Sequence, residues 1–137
     1  MSFSIDPRLV AESWPIGELP LSTLLLMDDA RYPWLLLVPR IAGARELLDL
    51  DEADRIMLLG ELSLASRALE TLFSPDKLNI AALGNVVPQL HVHVLARYQA
   101  DDAWPQPVWG RGTRVPYEAE LREQRVAALR GALKPGA

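Results

Sequence analysis

Residues 84–95 read GNVVPQLHVHVL and contain both histidines of the 137-residue chain, His91 and His93. In an extended strand successive side chains point to opposite faces, so Gln89 is predicted to share one face with the two rings. The apolar residues between them would cover the other face, which is typical of a strand with one polar and one buried side. Imidazole transfers protons near neutral pH and also serves as a nucleophile or a metal ligand. The histidine face is therefore the candidate functional site.

The composition predicts a single globular domain over residues 1–137. Half of the residues are hydrophobic and 23% are charged, which is ordinary for a folded domain with a core. The net charge of −4 argues against nucleic-acid or anionic-membrane partners, because such surfaces need clustered Lys and Arg. The absence of cysteine excludes disulfides and thiol chemistry. No secretory signal and no apolar run of roughly 20 residues is found, so a cytoplasmic location is expected.

The hydrophobic pattern predicts an α+β fold, a meander-like antiparallel sheet with one long helix and a C-terminal helix. Four strands are predicted, at Leu21–Met27, Trp34–Val38, Lys77–Ala82 and Gln89–Tyr98. A short helix is predicted to begin at Asp6-Pro7 and to be broken by residues 14–17, which read WPIG. The long helix is predicted at Asp51–Phe73 and the last one at Tyr117–Leu133, after an irregular loop at Asp101–Pro116.

The residues alone leave three interpretations of the histidine pair open. The rings could chelate a metal, but no acidic residue lies at a recognisable ligand spacing, so no metal site is predicted. They could catalyse a reaction at phosphorus, in which one neutral imidazole attacks and neighbouring groups stabilise the developing charge. The turn at Gly84-Asn85 favours this interpretation, since its backbone N–H groups could point at an anion. The third interpretation is an ordinary solvated sheet face.

Residues 84–94 resemble the signature strand of the histidine triad family of nucleotide hydrolases and transferases, in which three histidines alternate with apolar residues after a glycine turn. The resemblance covers about residues 20–100. It implies that His91 is the nucleophile that takes a nucleotidyl group, with a backbone carbonyl holding its far nitrogen. It implies that His93 binds phosphate oxygens and assists proton transfer. It also implies a homodimer paired through the long helix and an extended sheet.

The resemblance further implies nucleotide contacts by Asp28 and Asn79, and by the turn residues Gly84 and Asn85. Asp28 resembles the family's ribose-binding acid, and Asn79 lies on the strand before the glycine turn.

Four positions depart from the family pattern: Asn85 replaces the usual glutamine, Val86 stands where some members offer a hydroxyl to phosphate, and two histidine positions differ. Gln89 stands where the signature has its first histidine, and Trp34 stands where many members have a further histidine. A glutamine amide donates a hydrogen bond but cannot carry a proton, and acid–base assistance is worth typically about 10²–10⁴-fold. Gln89 is therefore expected to take part in the site while slowing turnover.

The expected activity is hydrolysis of nucleoside phosphate conjugates or dinucleoside polyphosphates through a nucleotidyl-His91 intermediate. The leaving group could be a nucleotide or an amine. No cofactor is expected to be required, although a polyphosphate substrate could arrive with Mg²⁺. One alternative is a nucleotide-binding module with little or no turnover. Another is a metal-dependent enzyme that uses the His-x-His pair.

The loop after the histidine strand contains two further candidates. Trp104 and Trp109 could cover the site, but packing on the core is favoured because tryptophan is costly to expose. Arg97, Arg111 and Arg114 could reach a phosphate tail, whereas surface solvation is the plainer expectation for each.

Overall fold

The computed structural model describes residues 2–136 as a five-stranded antiparallel sheet with helices. The strands are β1 (Ser13–Glu18), β2 (Ser22–Met27), β3 (Trp34–Pro39), β4 (Lys77–Ala81) and β5 (Val92–Arg97), in the sheet order β1-β2-β3-β5-β4. The helices are α1 (Pro7–Ala11), α2 (Glu52–Phe73) and α3 (Ala119–Leu133), with a 3-10 turn at Leu47–Asp49. This arrangement confirms the predicted α+β class, the antiparallel meander and both long helices.

The three central strands, β2, β3 and β5, are buried at every position. One sheet face packs on α2 and α3, and the other is covered by the N-terminal residues and the loop after β5. The first cluster includes Leu24, Leu35, Val94, Ala65, Leu69 and Leu129. The second includes Leu25, Leu36, Leu95, Leu9, Ala103 and Val108. The N-terminal segment with α1 and the irregular loop after β5 therefore form the outer cover of the sheet face that carries His93.

Helix α2 begins and ends as its sequence predicts. The Asp51 side chain accepts a hydrogen bond from the Asp54 N–H at 2.8 Å, which caps the first turn. The helix ends at Ser74 in the left-handed conformation. Within the helix, Glu61 is buried and its carboxylate accepts from the Leu21 N–H at 2.7 Å. In residues 2–136, neither α2 nor any other helix is long and apolar enough to cross a membrane.

The prediction that residues 14–17 form only a break was wrong. These residues lie in β1, which pairs with β2 and has Ile16 buried on the helix side. The pattern was misleading because Pro15 and Gly17 are both unfavourable in strands. β1 is an edge strand, where proline is tolerated, and its register shifts between these two residues.

The predicted start of the histidine strand was also wrong. β5 begins at Val92, so Gln89 and His91 lie on the segment that enters the strand. Pro88 has no N–H for a strand ladder, and the Leu90 N–H donates to the Ala44 carbonyl at 2.9 Å instead. The alternation still holds on the apolar side, because Leu90 and Val92 pack with Leu58 of α2.

Candidate active site

His93 is held by its neighbour on the adjacent strand. It pairs in register with Leu36 of β3, and only 5% of its surface is exposed. The Trp34 indole N–H donates to His93 Nδ1 at 3.0 Å. Because an indole nitrogen only donates, Nδ1 must accept, and the neutral ring carries its proton on Nε2. Burial, followed by the charge of His91, lowers the pKa of His93 to about 3. His93 is therefore a neutral hydrogen-bond donor through Nε2 at neutral pH.

His91 has the opposite arrangement of protons. Its Nδ1 lies 2.7 Å from the backbone carbonyl oxygen of Gln89. A carbonyl oxygen only accepts, so Nδ1 carries the proton, and Nε2 of the neutral ring keeps its lone pair. The backbone carbonyl that the family resemblance implies is therefore that of Gln89.

The two rings form one unit with complementary chemistry. Their centroids lie 5.0 Å apart with an interplanar angle of 63°. His91 offers a lone pair that can attack an electrophile, and His93 offers an N–H that can stabilise an oxygen as negative charge develops on it. Such a pair can carry out nucleophilic substitution at a phosphoryl or acyl group.

The side chain of Gln89 is bonded to the N-terminal residues. Its Oε1 accepts from the Asp6 N–H at 2.8 Å, and its Nε2 donates to the Ser4 carbonyl at 2.8 Å. Gln89 and His91 also line a small cavity of about 190 Å³ beside the 3-10 turn. Gln89 thus contributes its backbone carbonyl to His91 and its side-chain amide to residues 4–6.

A larger cavity of about 480 Å³ opens over the two rings, within the size range of ligand pockets. We call the inner part of its lining the floor, which consists of Met27, Trp34 and His93 on the strands and His91 just before β5. We call the outer part the rim, which is formed by residues 3–12 and 101–116 and includes Leu9, Glu12, Val108, Trp109, Arg111 and Arg114. Between them lies the turn at residues 84–87.

The turn residues predicted from sequence lie at this cavity. Gly84 and Asn85 both contribute to its lining, together with the histidines. Gly84 has φ +81°, a left-handed conformation that glycine adopts without the strain of a side chain. The structure thus brings Gly84, Asn85, His91 and His93 together.

The other two predicted nucleotide ligands lie outside the cavity lining, and their side chains have protein partners. Asp28 accepts from the Tyr117 N–H at 2.9 Å and forms an ion pair with Arg114 at 3.0 Å. Asn79 accepts from the Arg97 guanidinium at 2.7 Å. A sugar or a base would have to compete with these bonds, so nucleotide binding by Asp28 and Asn79 stays a prediction.

The charges of the rim are arranged in pairs, with two exceptions. Asp29 is buried and bonded to Arg31 at 2.8 Å, and the same guanidinium donates to the Arg111 carbonyl at 3.1 Å. A Cβ on Gly112 would lie 2.9 Å from this guanidinium, which would have to shift, and φ +65° at Gly112 is a left-handed conformation that glycine adopts without strain. The exceptions are Arg111 and Glu12, whose side chains form no ion pair with the described residues 2–136.

The two loop tryptophans have different positions. Trp109 lies against the site, with its ring 5.3 Å from His93 and 6.0 Å from Trp34, and it also packs on the core. Trp104 lies under the Arg97 guanidinium, 5.6 Å from it. Arg97 is buried and bonded to Asp101, so it supports the loop and does not line the cavity.

Sequence reasoning missed the hydrogen bond of Trp34 to His93 and the part of the rim that residues 3–12 form. The bond from Trp34 to His93 joins residues 59 positions apart, and no local pattern indicates it. The placement of Leu9 and Glu12 at the cavity depends on the bonds of Gln89 to residues 4–6 and is equally remote in sequence.

The described residues, 2–136, contain no group of three or more His, Asp or Glu side chains positioned to hold a metal ion. Both histidine Nδ1 atoms are engaged in hydrogen bonds.

Comparison with known proteins places the chain in one family. The family model described as the HIT domain matches residues 8–100. The histidine triad protein of Bradyrhizobium japonicum is 49% identical, with a TM-score of 0.95 over 97% of this chain and 99% of that one. Histidine triad proteins of Marinobacter aquaeolei and Sinorhizobium meliloti are 45% and 43% identical, with TM-scores of 0.95 and 0.93. They cover 98% and 96% of this chain, and 98% and 97% of their own chains.

No curated protein matches the chain. The family model spans most of the chain, and the similar solved structures extend over nearly all of it. The fold and the histidine segment agree with this assignment, so the chain belongs to the histidine triad (HIT) family.

Proposed function

We propose that this protein hydrolyses conjugates of nucleoside phosphates, including dinucleoside polyphosphates, by transferring the nucleotidyl group first to His91 and then to water. HIT domain proteins generally bind or hydrolyse nucleotides. The observation that carries the proposal is the complementary state of the two rings, a lone pair on His91 Nε2 beside an N–H on His93 Nε2. A phosphoryl group needs both a nucleophile and a donor to its oxygens.

The first step forms a bond between His91 Nε2 and the α-phosphorus while the bond to the leaving group breaks. The electron pair of that bond departs with the leaving group. His91 then carries a positive charge, and its Nδ1–H bond to the Gln89 carbonyl stabilises that charge. In the second step water attacks phosphorus, the phosphorus–nitrogen bond breaks, and the ring returns to neutral. The second step releases a nucleoside monophosphate and one proton.

The surrounding residues support the binding of a nucleotide. In the proposal, backbone groups at Gly84 and Asn85 contact the phosphate, because this turn lines the cavity beside both rings. His93 donates to a phosphate oxygen. Asp28 and Asn79 remain candidates for ribose and base contacts only if the substrate displaces Tyr117, Arg114 or Arg97 from them. The covalent step uses no cofactor, and a polyphosphate substrate could bring Mg²⁺ with it.

The test compares the wild-type protein with His91→Ala on diadenosine tetraphosphate and on a fluorogenic adenosine phosphoramidate. Loss of the nucleophile should lower turnover of every accepted substrate by at least about 10³-fold. The control is Glu123→Ala on α3, whose side chain is 74% exposed and remote from the cavity lining. A nucleotidyl adduct on His91, trapped in alkali because phosphorus–nitrogen bonds hydrolyse in acid, should appear in the wild type alone. Turnover by His91→Ala at the wild-type rate would refute the proposal.

A second candidate function is a nucleotide-binding module with little turnover. The half-buried amide of Gln89, which cannot carry a proton, favours it. Saturable binding of adenosine monophosphate by calorimetry, without turnover of either substrate and without adduct, would establish this function.

We also propose a homodimer through β4 and α2. β4 lies at the edge of the sheet, where its outer backbone groups can pair with another strand. Ile80 on this strand is 50% exposed, and Ile56 and Leu59 on α2 are each 65% exposed, so both elements present apolar surface. The mass of the protein in solution decides this proposal.

A further inference from the structure

Breaking a phosphorus–nitrogen bond to an amine and breaking a phosphorus–oxygen bond in an anhydride place different demands on the site. An amine cannot depart as an anion, so it must receive a proton as its bond to phosphorus breaks. A phosphate can depart with the electron pair of the broken bond and needs no proton at neutral pH. The groups around His91 therefore decide which leaving groups this site can release.

The polar residues Gln89, His91 and His93 cannot supply that proton. Nδ1 of His93 is occupied by the Trp34 N–H, and the ring is neutral, so its Nε2–H is a hydrogen-bond donor and not an acid. Nε2 of His91 is consumed by the bond to phosphorus. The Gln89 amide is bonded to Ser4 and Asp6, and an amide does not release a proton.

The remaining ionisable groups along both cavities do not supply an acid either. Asp29 is ion-paired with Arg31, and a guanidinium does not give up its proton in proteins. The same holds for Arg45, Arg111 and Arg114, which also contribute to the two linings. The other carboxylates there, Glu12 and Glu46, are exposed to solvent, and neither is hydrogen-bonded to a histidine ring.

The 101–116 loop of the rim also provides guanidinium groups for a leaving group that carries negative charge, while the carboxylate of Glu12 lies on the N-terminal part of the same lining. Arg111 lines the large cavity, and its side chain forms no ion pair within residues 2–136. Arg114, also on the lining, is 42% exposed although it pairs with Asp28. A departing phosphate would meet these guanidinium groups, which bind phosphate oxygens through two parallel hydrogen bonds.

We infer that the site is selective for acid-anhydride conjugates, whose leaving group departs as an anion such as a phosphate, over phosphoramidates of amines. The inference rests on the proposed function and names its substrate class. In the favoured reaction the His91–phosphorus bond forms, the bond from phosphorus to the bridging oxygen breaks, and that oxygen keeps the electron pair. No proton is transferred in this step. With an amine, the same step would leave an electron pair on nitrogen that none of the side chains lining the two cavities protonates.

The experiment uses the wild-type protein and two adenosine 5′-phosphates that differ in one atom. One bears 4-nitrophenol through oxygen, and the other bears 4-nitroaniline through nitrogen. Both give the same nucleotidyl-His91, so its hydrolysis is common to them, and kcat/KM reports the step that expels the leaving group. Diadenosine tetraphosphate is the anhydride reference. The nitrophenyl ester and the anhydride should exceed the anilide by about 10²–10⁴-fold in kcat/KM, the usual range for a missing acid.

The outcomes separate this inference from the proposed function. Equal kcat/KM for the ester and the anilide would overturn the inference, while a covalent adduct on His91 would leave the proposed function standing. Absence of turnover with all three substrates would overturn both. Loss of the ester and anhydride activities in His91→Ala is required for the preference to belong to this site.

Discussion

The floor and the rim of the large cavity are stabilised by different interactions. The floor takes its geometry from the sheet, because β3 and β5 are paired in register and place Trp34 and His93 side by side. The rim consists of the N-terminal segment, which includes α1, and an irregular loop that arginine ion pairs hold in place. Arg97 holds residues 101–106, whereas Arg31 and Arg114 bond the loop to Asp29 and Asp28. The sheet therefore positions Trp34 and His93, the segment that enters β5 positions His91, and charged side chains hold the loop around them.

This difference has a consequence for how each region responds to substitution. The floor depends on two hydrogen bonds that fix ring tautomers, so changes there should act on chemistry and on proton binding. The rim depends on buried charges that neutralise each other, so removal of one partner should act on stability.

The largest effect is expected from Arg97→Met. Both Arg97 and Asp101 have side chains that are almost fully buried, at 2% and 3% exposure, so the substitution leaves an unpaired carboxylate in the interior. Breaking such a pair typically lowers the free energy of unfolding by about 3–5 kcal/mol. Urea unfolding at neutral pH measures the change.

The matched control for that variant is Arg8→Met, which removes an arginine whose side chain is 57% exposed from its pair with Asp6. It should change the free energy of unfolding little, because exposed pairs are screened by water. If the two variants unfold at the same urea concentration, the rim does not depend on buried charge, and the contrast with the floor is lost.

The second prediction concerns the pH dependence of stability at the floor. The pKa of His93 is about 3 in the folded protein and 6.5 for an unperturbed ring. Above pH 6.5 both states are neutral and folding is unaffected. As pH falls below 6.5, the unfolded chain binds a proton that the folded protein excludes, so stability is lost until about pH 3. The loss is about 1.4 kcal/mol per pH unit, which amounts to roughly 2 kcal/mol between pH 6.5 and 5.

The comparison that isolates this effect is with His93→Gln, which cannot titrate. Unfolding free energies of both proteins should be measured from pH 7.5 to 4, and the wild type should fall more steeply with acid. Carboxylates titrate alike in both proteins and cancel in the difference. Parallel curves would mean that protonation of His93 does not lower the free energy of unfolding, contrary to the burial of this ring beside Trp34 and His91.

The two histidines of the floor could be predicted from the sequence, because alternation along one segment is local, whereas the Trp34–His93 bond joins residues 59 positions apart and could not. Alternation over residues 89–95 placed both rings on one side and the apolar residues toward α2, as the structure has them. Alternation could not predict that the Gln89 side chain points to the N-terminal residues. Pro88 interrupts the ladder before the strand starts, and the backbone then turns the Gln89 side chain to residues 4–6.

The rim could be predicted less well, because several of the contacts that build it join distant parts of the chain, although the Arg97–Asp101 ion pair spans only four residues. The Arg114–Asp28 and Gln89–Ser4 contacts span 86 and 85 residues. Asp28 and Asn79 illustrate the difficulty. Each occupies the expected position in sequence, but its side chain is bonded to an arginine from another segment. Hydrophobic periodicity does not predict such a pairing.

The smallest effect is expected where floor and rim meet, at Gln89→Met. The substitution removes two hydrogen bonds to backbone groups of Ser4 and Asp6, which are partly exposed, so the free energy of unfolding should fall by about 1 kcal/mol. Hydrogen exchange of the Asp6 amide should become faster. The His91 bond to the Gln89 carbonyl involves backbone and should persist, so the ¹⁵N shifts of His91 should stay those of an Nδ1–H ring. Gln99→Met, on an exposed glutamine, is the control. A change of the His91 tautomer would show that the bonds of Gln89 to Ser4 and Asp6 fix the protonation of the nucleophile, as well as the position of the N-terminal part of the rim.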